Sequence, residues 1–545
     1  MSNNLGITTN EQLRDHIHSI HDFIRNNGAG FGMSALKIFL IFYGMKIVEK
    51  NKKCMKKLKD MKVKFSDLVE VAEKATGAGH DPDNEHFYLC NEGDKIIRMI
   101  NDDIIDFLYD NKDFRKYLYF EIPAPERKTG EFFCNLVKKI NKIPISEDFK
   151  SKVDLKGKVY EYFIGFNDKD AMSELGAYFT DRRITNRICD HVIDKFKIDS
   201  PDKIPTMIDP FAGSGGFTIT FLQKLNKKIE IKDWTKYLNK IHHFDMNHDA
   251  VKSAGLEFFS ITGEFPPVDT FVRTNTFKHF FDKKFKLILT NPPYGGDKNK
   301  KTAEQENRDI MMNYLKTHHF SKGKWIEEWA QNQYNLLKKE TVESNSELKQ
   351  THVNLLQSND GLKRYIWDNF KKNIKKKNYN NTDFKCNDKE SISLMQMAHL
   401  LDKDGLAVGV LKEGIFFNRI YSHIREHITT NFNVYKVVSI PSDQFENTTT
   451  KTSEVYFENT NNKTKKIRFY DLTVEKYDET NIEEIEENGI KLVNIKEKKG
   501  DIKGVYEKHV STATLDEIKK NNYSWNAKDY NKTEIVCGKD YELKK

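Results

Sequence analysis

Cysteine is scarce in this chain. Cys54, Cys90, Cys134, Cys189, Cys386 and Cys537 are scattered over 545 residues without the paired spacing of a metal site, which predicts a reducing compartment. Long apolar runs are lacking too. The run Ile38 to Met45 is too short to span a bilayer and the polar amino terminus carries no signal peptide. The expectation is therefore a soluble, intracellular, cytoplasmic protein with no membrane partner. No helicase phosphate loop of the G-x-x-x-x-G-K-S type occurs, and no convincing Pro-Asp followed by acidic-x-Lys arrangement marks a nuclease in the amino-terminal region. The pairs His242-His243 and His318-His319 lack Cys or acidic partners at ligand spacing, so they read as surface residues and no metal is expected.

The charge balance is mildly basic, +8 from 89 basic and 81 acidic residues. Lysine clusters at Lys52 to Lys59, Lys298 to Lys301 and Lys371 to Lys377 are candidate phosphate contacts or simply a solvated surface. The length suits roughly three domains. Residues 1–150 carry helix-period apolar patterns, such as Leu36, Phe39, Leu40, Tyr43 and Ile47, and predict a helical domain. Residues 155–475 alternate strand and helix signals, the pattern of an α/β doubly wound, Rossmann-like sheet. A Lys- and Asn-rich insertion interrupts them at 296–390. Residues 476–545 read as an extension that opens on an acidic stretch, Ile482 to Glu487, and ends in helical and polar segments.

Two motifs carry chemistry. The first is Asn291-Pro292-Pro293-Tyr294 after the apolar run Leu287-Ile288-Leu289-Thr290. The segment Phe285 to Thr290 reads as a buried strand, and two prolines must end it because neither donates to a ladder. Asn291 thus stands at a strand's carboxyl end, the edge where open α/β sheets bind ligands. The Asn291 amide and the Pro292 carbonyl make two fixed acceptors beside the Tyr294 ring, which suits a planar heterocycle bearing an amine. A plain Pro-Pro turn with an exposed Tyr is the alternative. The second motif follows the strand Thr206-Met207-Ile208: Asp209-Pro210-Phe211-Ala212-Gly213-Ser214-Gly215-Gly216-Phe217, then an apolar helical stretch. Its glycines let the backbone approach a ligand. The G-x-G-x-x-G order of a pyrophosphate cradle is absent, so the turn suits a ligand with an ammonium or ribose and no phosphate, such as S-adenosylmethionine.

Together these motifs resemble the amino-methyltransferases, and their surroundings resemble the modification (M) subunits of type I restriction-modification systems, the adenine-N6 DNA methyltransferases. Tyr160-Glu161-Tyr162 and Leu175-Gly176-Ala177-Tyr178-Phe179-Thr180 are similar to the family segments that close over the methionine end of the cofactor. Phe244-Asp245-Met246-Asn247 resembles the acidic strand end that holds the ribose hydroxyls, and Thr274-Asn275-Thr276-Phe277 the segment beside the cofactor's adenine. Leu401 to Phe417 looks like a family strand pair and Val437 to Phe457 like its closing hairpin. The chain departs from the pattern at Ala177, Asp181, Thr274 and Lys412. The similarity spans roughly residues 155 to 530.

The resemblance implies a site-specific DNA adenine-N6 methyltransferase. Asn291, Pro292, Pro293 and Tyr294 would be its catalytic residues. S-adenosyl-L-methionine would be held by Ala177, Tyr178, Phe179, Thr180, Asp209, Pro210, Phe211, Gly213, Ser214, Gly215, Gly216, Asp245, Asn275 and Thr276. Acceptance of both amine hydrogens by Asn291 and Pro292 favours a nitrogen lone pair aimed at the methyl group, and in-line transfer needs no metal. The target base must leave the duplex and stack on Tyr294. The Pro-Cys nucleophile of a cytosine-5 enzyme is absent from this region. Double-stranded DNA is the expected substrate. The carboxyl-terminal stretch resembles the segment that opens a target-recognition domain in fused relatives, so a separate specificity subunit is the expected partner; the resemblance leaves room for a restriction subunit beside it, whose presence the sequence does not decide. RNA adenine or protein glutamine methylation, and a catalytically inactive DNA-binding subunit, stay as alternatives.

Overall fold

In the computed structural model, the described residues are Ile7, 10–29, 33–77, 93–117, Tyr119, 130–145, 182–229, Ile231, 233–293, six positions between 361 and 369, 388–440, 451–487 and 490–530; within 474–504 only the backbone is described. The 296–390 insertion lies largely outside them, as do His318, His319 and the segment Tyr160 to Thr180. Two units form: Met1–Thr276 with Leu289–Pro293, and Phe277–Ile288 with Tyr294–Lys545.

In the first unit, helix Asn10–Asn26 places Leu13, Ile17, Ile20 and Ile24 on one buried stripe at helical spacing. Helix Met33–Glu49 is apolar all round and is accordingly the enclosed one: Leu36, Phe39, Leu40, Tyr43 and Ile47 are all buried. Helix Gly130–Asn141 adds Phe132, Phe133, Leu136, Val137 and Ile140 to the same core. Its open carbonyl end is closed by a buried cation. The Lys46 ammonium donates to the carbonyls of Ile140 (3.1 Å), Asn141 (2.6 Å) and Ile143 (2.5 Å). Helix His248–Thr262 contributes Ala250, Leu256 and Phe259 to this core. Phe259 meets Phe114 edge-on at 5.9 Å, so the amino-terminal helices and the strand-helix region share apolar side chains.

The strands of this unit run in the order β3-β2-β1-β4, with β1 at Met207–Asp209, β2 at Ile241–Asp245, β3 at Phe271–Arg273 and β4 at Phe285–Thr290. Strands β1, β2 and β3 pair in parallel, with Asp209 beside His243 and Asp245 beside Arg273. Helices Thr218–Ile229 and His248–Thr262 follow β1 and β2, the alternation of a Rossmann-like α/β fold. The prolines end β4 where expected, and Leu289–Thr290 is the part of the strand that belongs to this unit.

The reading of His242 and His243 as surface residues is corrected here: both are buried in β2. Four consecutive residues of that strand are buried, so both faces are covered and alternation exposes neither ring. His243 stacks on Phe271 at 4.9 Å, its Nδ1 lies 2.9 Å from Thr218 Oγ1, and burial pushes its pKa down to about 3.

The second unit holds the beginning of β4 and strands β5 (Leu401–Lys412), β6 (Asn433–Ile440), β7 (Thr452–Glu458), β8 (Lys466–Glu487) and β9 (Ile490–Thr514), in the order β4-β5-β7-β6-β8-β9. Strand β7 is antiparallel to both β5 and β6, and β6 runs parallel to β8. The strand pair expected over Leu401 to Phe417 is one long strand followed by the short helix Gly414–Phe417. The acidic stretch Ile482 to Glu487 lies in β8, which pairs with β9 in a long ribbon that sets Glu479 opposite Lys498 and Glu486 opposite Lys491.

A second buried cation organises the end of this unit. Fully buried Arg425, on helix Ser422–Asn431, donates to the carbonyls of Tyr523 (2.7 Å), Ile415 (2.8 Å), Asn418 (2.9 Å) and Asn522 (3.3 Å). It thereby holds Asn522 and Tyr523 at φ of 51° and 54°, a left-handed pair that closes helix Leu515–Lys520. Burial pushes Arg425 down to about 10, so it stays charged at neutral pH. Arg425→Met leaves these carbonyls without their donor, and a loss of about 3 kcal/mol is expected. Denaturant unfolding measures it, and early proteolytic cleavage near 521–525 should accompany it.

Candidate functional site at the carboxyl edge of the parallel strands

All the described candidate residues lie in the first unit, in the turns that leave β1 to β4. These turns are bonded to one another. After β1, the backbone N–H of Ala212 donates to Phe244 O at 3.0 Å and that of Gly213 to Asp245 Oδ2 at 2.8 Å, tying the glycine turn to the end of β2. Asp245 Oδ1 accepts from the N–H of Asn247 at 2.7 Å, and Asp245 O from the N–H of Thr274 at 2.8 Å. Thr276 Oγ1 donates to Pro210 O at 2.5 Å. Thr290 Oγ1 donates to Asp209 Oδ1 at 2.7 Å, so β1 and β4 end side by side. Every strand end at this edge therefore has a polar link to a neighbour, and the turns are held before any ligand arrives.

Within this frame the residues differ in access. Phe211, Gly213, Gly216, Asp245, Asn275, Asn291 and Pro293 are half-buried, whereas Pro210, Ser214, Gly215, Thr276 and Pro292 are buried. Asp209 is only 2% exposed, and its Oδ1 also accepts the N–H of Phe211 at 3.1 Å. Burial pushes its carboxyl up to about 8, against the pull of the Thr290 and Phe211 bonds. Burial also raises Asp245, opposed by the N–H groups of Asn247, Gly213 and Met246. Asp245 Oδ1 takes the N–H of Asn247 and Oδ2 that of Gly213, and the N–H of Met246 also bonds this carboxyl, which leaves lone-pair capacity to accept a ligand hydroxyl. Tyr294 and the segment Ala177 to Thr180 lie outside the described residues.

Two features escaped the sequence reading. Met246, directly after Asp245 at the end of β2, is 54% exposed, an apolar side chain open to solvent. Its signal was present as a hydrophobic residue between two polar ones at a strand end. The other is the Thr290 hydroxyl, hidden in a run that reads as apolar.

The glycine turn fits a ligand pressed against backbone. Gly213 and Gly215 have φ of +53° and +92°, and a Cβ on Gly215 would stand 2.5 Å from Ile219 Cγ1. With the half-buried carboxylate of Asp245 and exposed Met246, the edge offers hydrogen-bond acceptors for hydroxyls and an apolar surface for a flat ring. This donor set fits S-adenosylmethionine. A cavity of about 460 Å³ elsewhere, in the second unit among Glu413, Phe416, Lys451, Phe469, Lys508 and Trp525, contains none of these residues. Among the described residues there is no cluster of three or more His, Cys, Asp or Glu fit to hold a metal, and no helix long and apolar enough to cross a membrane.

Comparison with known proteins agrees with this arrangement. Residues 151–324 and 324–537 match the family model described as N-6 DNA Methylase. The methylase subunit of the type I restriction enzyme MjaIX from Methanocaldococcus jannaschii is 26% identical over 205 residues, 37% of this chain. The match spans only 32% of that relative's length. The solved methyltransferase subunit of a Streptococcus thermophilus type I restriction-modification system superposes with a TM-score of 0.51 at 14% identity, over 96% of this chain and 100% of that one. A modification subunit from Vibrio vulnificus YJ016 gives 0.51 at 16% identity, over 86% and 85% of the two chains. These likenesses carry the fold, a Rossmann-like methyltransferase α/β sheet with helices before it.

Two outcomes are expected at this edge. Gly215→Ala strains a left-handed residue and displaces Ile219, so S-adenosylmethionine affinity in a calorimetric titration should fall about tenfold or more. The raised Asp209 carboxyl makes the folded state hold a proton that the unfolded chain releases. Its stabilising contribution is full below about pH 4 and is lost as pH rises toward about 8. Asp209→Asn removes this titration, so the Tm of the variant minus that of the parent should climb across that window; a flat difference would contradict the assignment.

Proposed function

The chain belongs to the N-6 DNA methylase family, and on that premise we propose that it transfers a methyl group from S-adenosyl-L-methionine to the exocyclic amine of adenine in double-stranded DNA, as the modification subunit of a restriction-modification system. The observation that carries the reading is the bond between the two motif turns. The Asn291-Pro292-Pro293 turn leaves β4 directly after Thr290, whose hydroxyl reaches the Asp209 carboxyl at the root of the glycine turn. A turn suited to a conjugated amine and a turn suited to the cofactor thus start from adjacent strand ends.

Asp245 would accept the ribose hydroxyls through its remaining lone pairs, and Met246 would cover a face of the cofactor's adenine. Gly213, Ser214, Gly215 and Gly216 would border its methionine end with backbone atoms, and Asn275 and Thr276 would lie beside its base. Ala177, Tyr178, Phe179 and Thr180 enter the reading from sequence alone, as a closing segment. When bound, S-adenosylmethionine supplies an already activated methyl group. Adenine's amine is a poor nucleophile because its lone pair is delocalised into the ring. Asn291 Oδ1 and the Pro292 carbonyl would accept its two hydrogens and favour a pyramidal nitrogen with its lone pair directed at the methyl group. Buried Pro292 and half-buried Pro293 stiffen that turn, so alignment supplies most of the rate. Tyr294 would stack on the extruded base and offset part of its lost stacking. Sequence recognition falls to a separate specificity subunit, with a restriction subunit as a further partner.

The test is radiolabelled methyl transfer to duplex DNA, RNA and protein extract, with nucleoside analysis of the product. Label in N6-methyladenine of DNA is expected; label in RNA or protein would overturn the substrate. Asn291→Ala should lower transfer at least about a hundredfold while cofactor affinity stays within a few-fold, because that side chain acts on the acceptor amine.

A further inference from the structure

We propose that Thr290 is a positioning residue for methyl transfer, its hydroxyl setting the acceptor turn at a defined offset from the cofactor turn. This rests on the functional reading above. Strand β4 buries Leu287, Ile288, Leu289 and Thr290 completely, and the first three are aliphatic. A valine would fill the fourth position with nearly the same shape and no polar atom. A hydroxyl taken wholly out of water is costly unless it is bonded, so its presence points to the bond it makes. That bond is the 2.7 Å donation to Asp209 Oδ1, itself buried and also bonded to the N–H of Phe211.

The consequence is geometric. Strand β1 is only three residues long, so few ladder bonds fix its end. Past Asp209 and Thr290 the ladder gives way to two turns, one opening with Pro210 and the other running Asn291-Pro292-Pro293. Neither Pro292 nor Pro293 has an N–H with which to hold its turn to a neighbour. The side-chain link at the last residue of each strand therefore ties the root of one turn directly to the root of the other. Thr290 touches neither reacting atom. It acts through Asn291, the next residue, and through Asp209, which roots the glycine turn. A displacement of about 1 Å between donor and acceptor turns is enough to cost on the order of a hundredfold in rate.

The test compares Thr290→Val, which removes only the hydroxyl, with Thr290→Ser, which keeps it. Both are assayed as the full chain, with whichever acceptor and specificity subunit the parent requires. For Thr290→Val, kcat should fall about 10- to 100-fold while KM for S-adenosylmethionine and for the acceptor stays within about threefold. Thr290→Ser should return kcat to within about threefold of the parent. Independently of turnover, hydrogen exchange in the ligand-free protein should quicken in peptides containing Phe211 and Asn291 in the valine variant and not in the serine variant. Unchanged kcat in Thr290→Val, a loss of kcat equal in both variants, or unchanged exchange at Phe211 would overturn the proposal. A parent that labels RNA or protein instead of DNA defeats the substrate reading alone, and the valine-to-serine contrast is then read on that acceptor.

Discussion

The carboxyl of Asp209, shut away from water at the end of a three-residue strand, is the constraint on which the candidate site depends. A buried carboxyl must be bonded, and here its Oδ1 accepts both the Thr290 hydroxyl and the Phe211 N–H. Satisfying one costly group thus registers two strand ends and starts the glycine turn. Asp245 repeats the device one strand away, accepting the Gly213 N–H from the turn after β1 and the Asn247 N–H from its own. Carboxyl groups at this edge are first of all the acceptors that hold turns in place. What they offer a ligand is the capacity left over, which explains why half-buried Asp245 is the better candidate for a ligand contact.

The two units close their open backbone ends in the same way. Lys46 supplies donors to three carbonyls at and just past the end of helix Gly130–Asn141, and Arg425 to four carbonyls from Ile415 to Tyr523. In both cases a long cationic side chain enters the interior and donates to several carbonyl oxygens. Helix ends and left-handed turns leave such oxygens unpaired, and a fork of donors satisfies several at once.

Part of this was readable along the chain. The apolar run ended by Pro292 and Pro293 marked β4, because proline removes the donor that a strand needs. The glycine turn after Met207 to Asp209 was equally plain, and its left-handed glycines at 213 and 215 are where L-residues are strained. The pattern Leu36, Phe39, Leu40, Tyr43, Ile47 gave the enclosed helix, since spacing along a helix decides what faces the core. Polar residues misled where burial was decided by distant segments. His242 and His243 look like surface residues in isolation, yet both faces of β2 are covered. The acidic stretch near Glu484 had no strand signal of its own, because its partner residues in β9 follow only after the chain reverses.

Sequence alone determined the local chemistry of the candidate site: which residues break strands, which turns only glycine tolerates, and which side chains accept or donate. It also placed those residues at strand ends, since strand length and breakers are local properties. Tertiary structure alone decided what each polar group faces. Asp209 and Asp245 both stand at the end of a strand preceding a turn, but one is a buried strut and the other a half-buried acceptor. Thr290 reads as the tail of an apolar run and is the link between two motifs 81 residues apart. Burial and hydrogen-bond partnership depend on atoms brought together from far along the chain, and no local pattern encodes them.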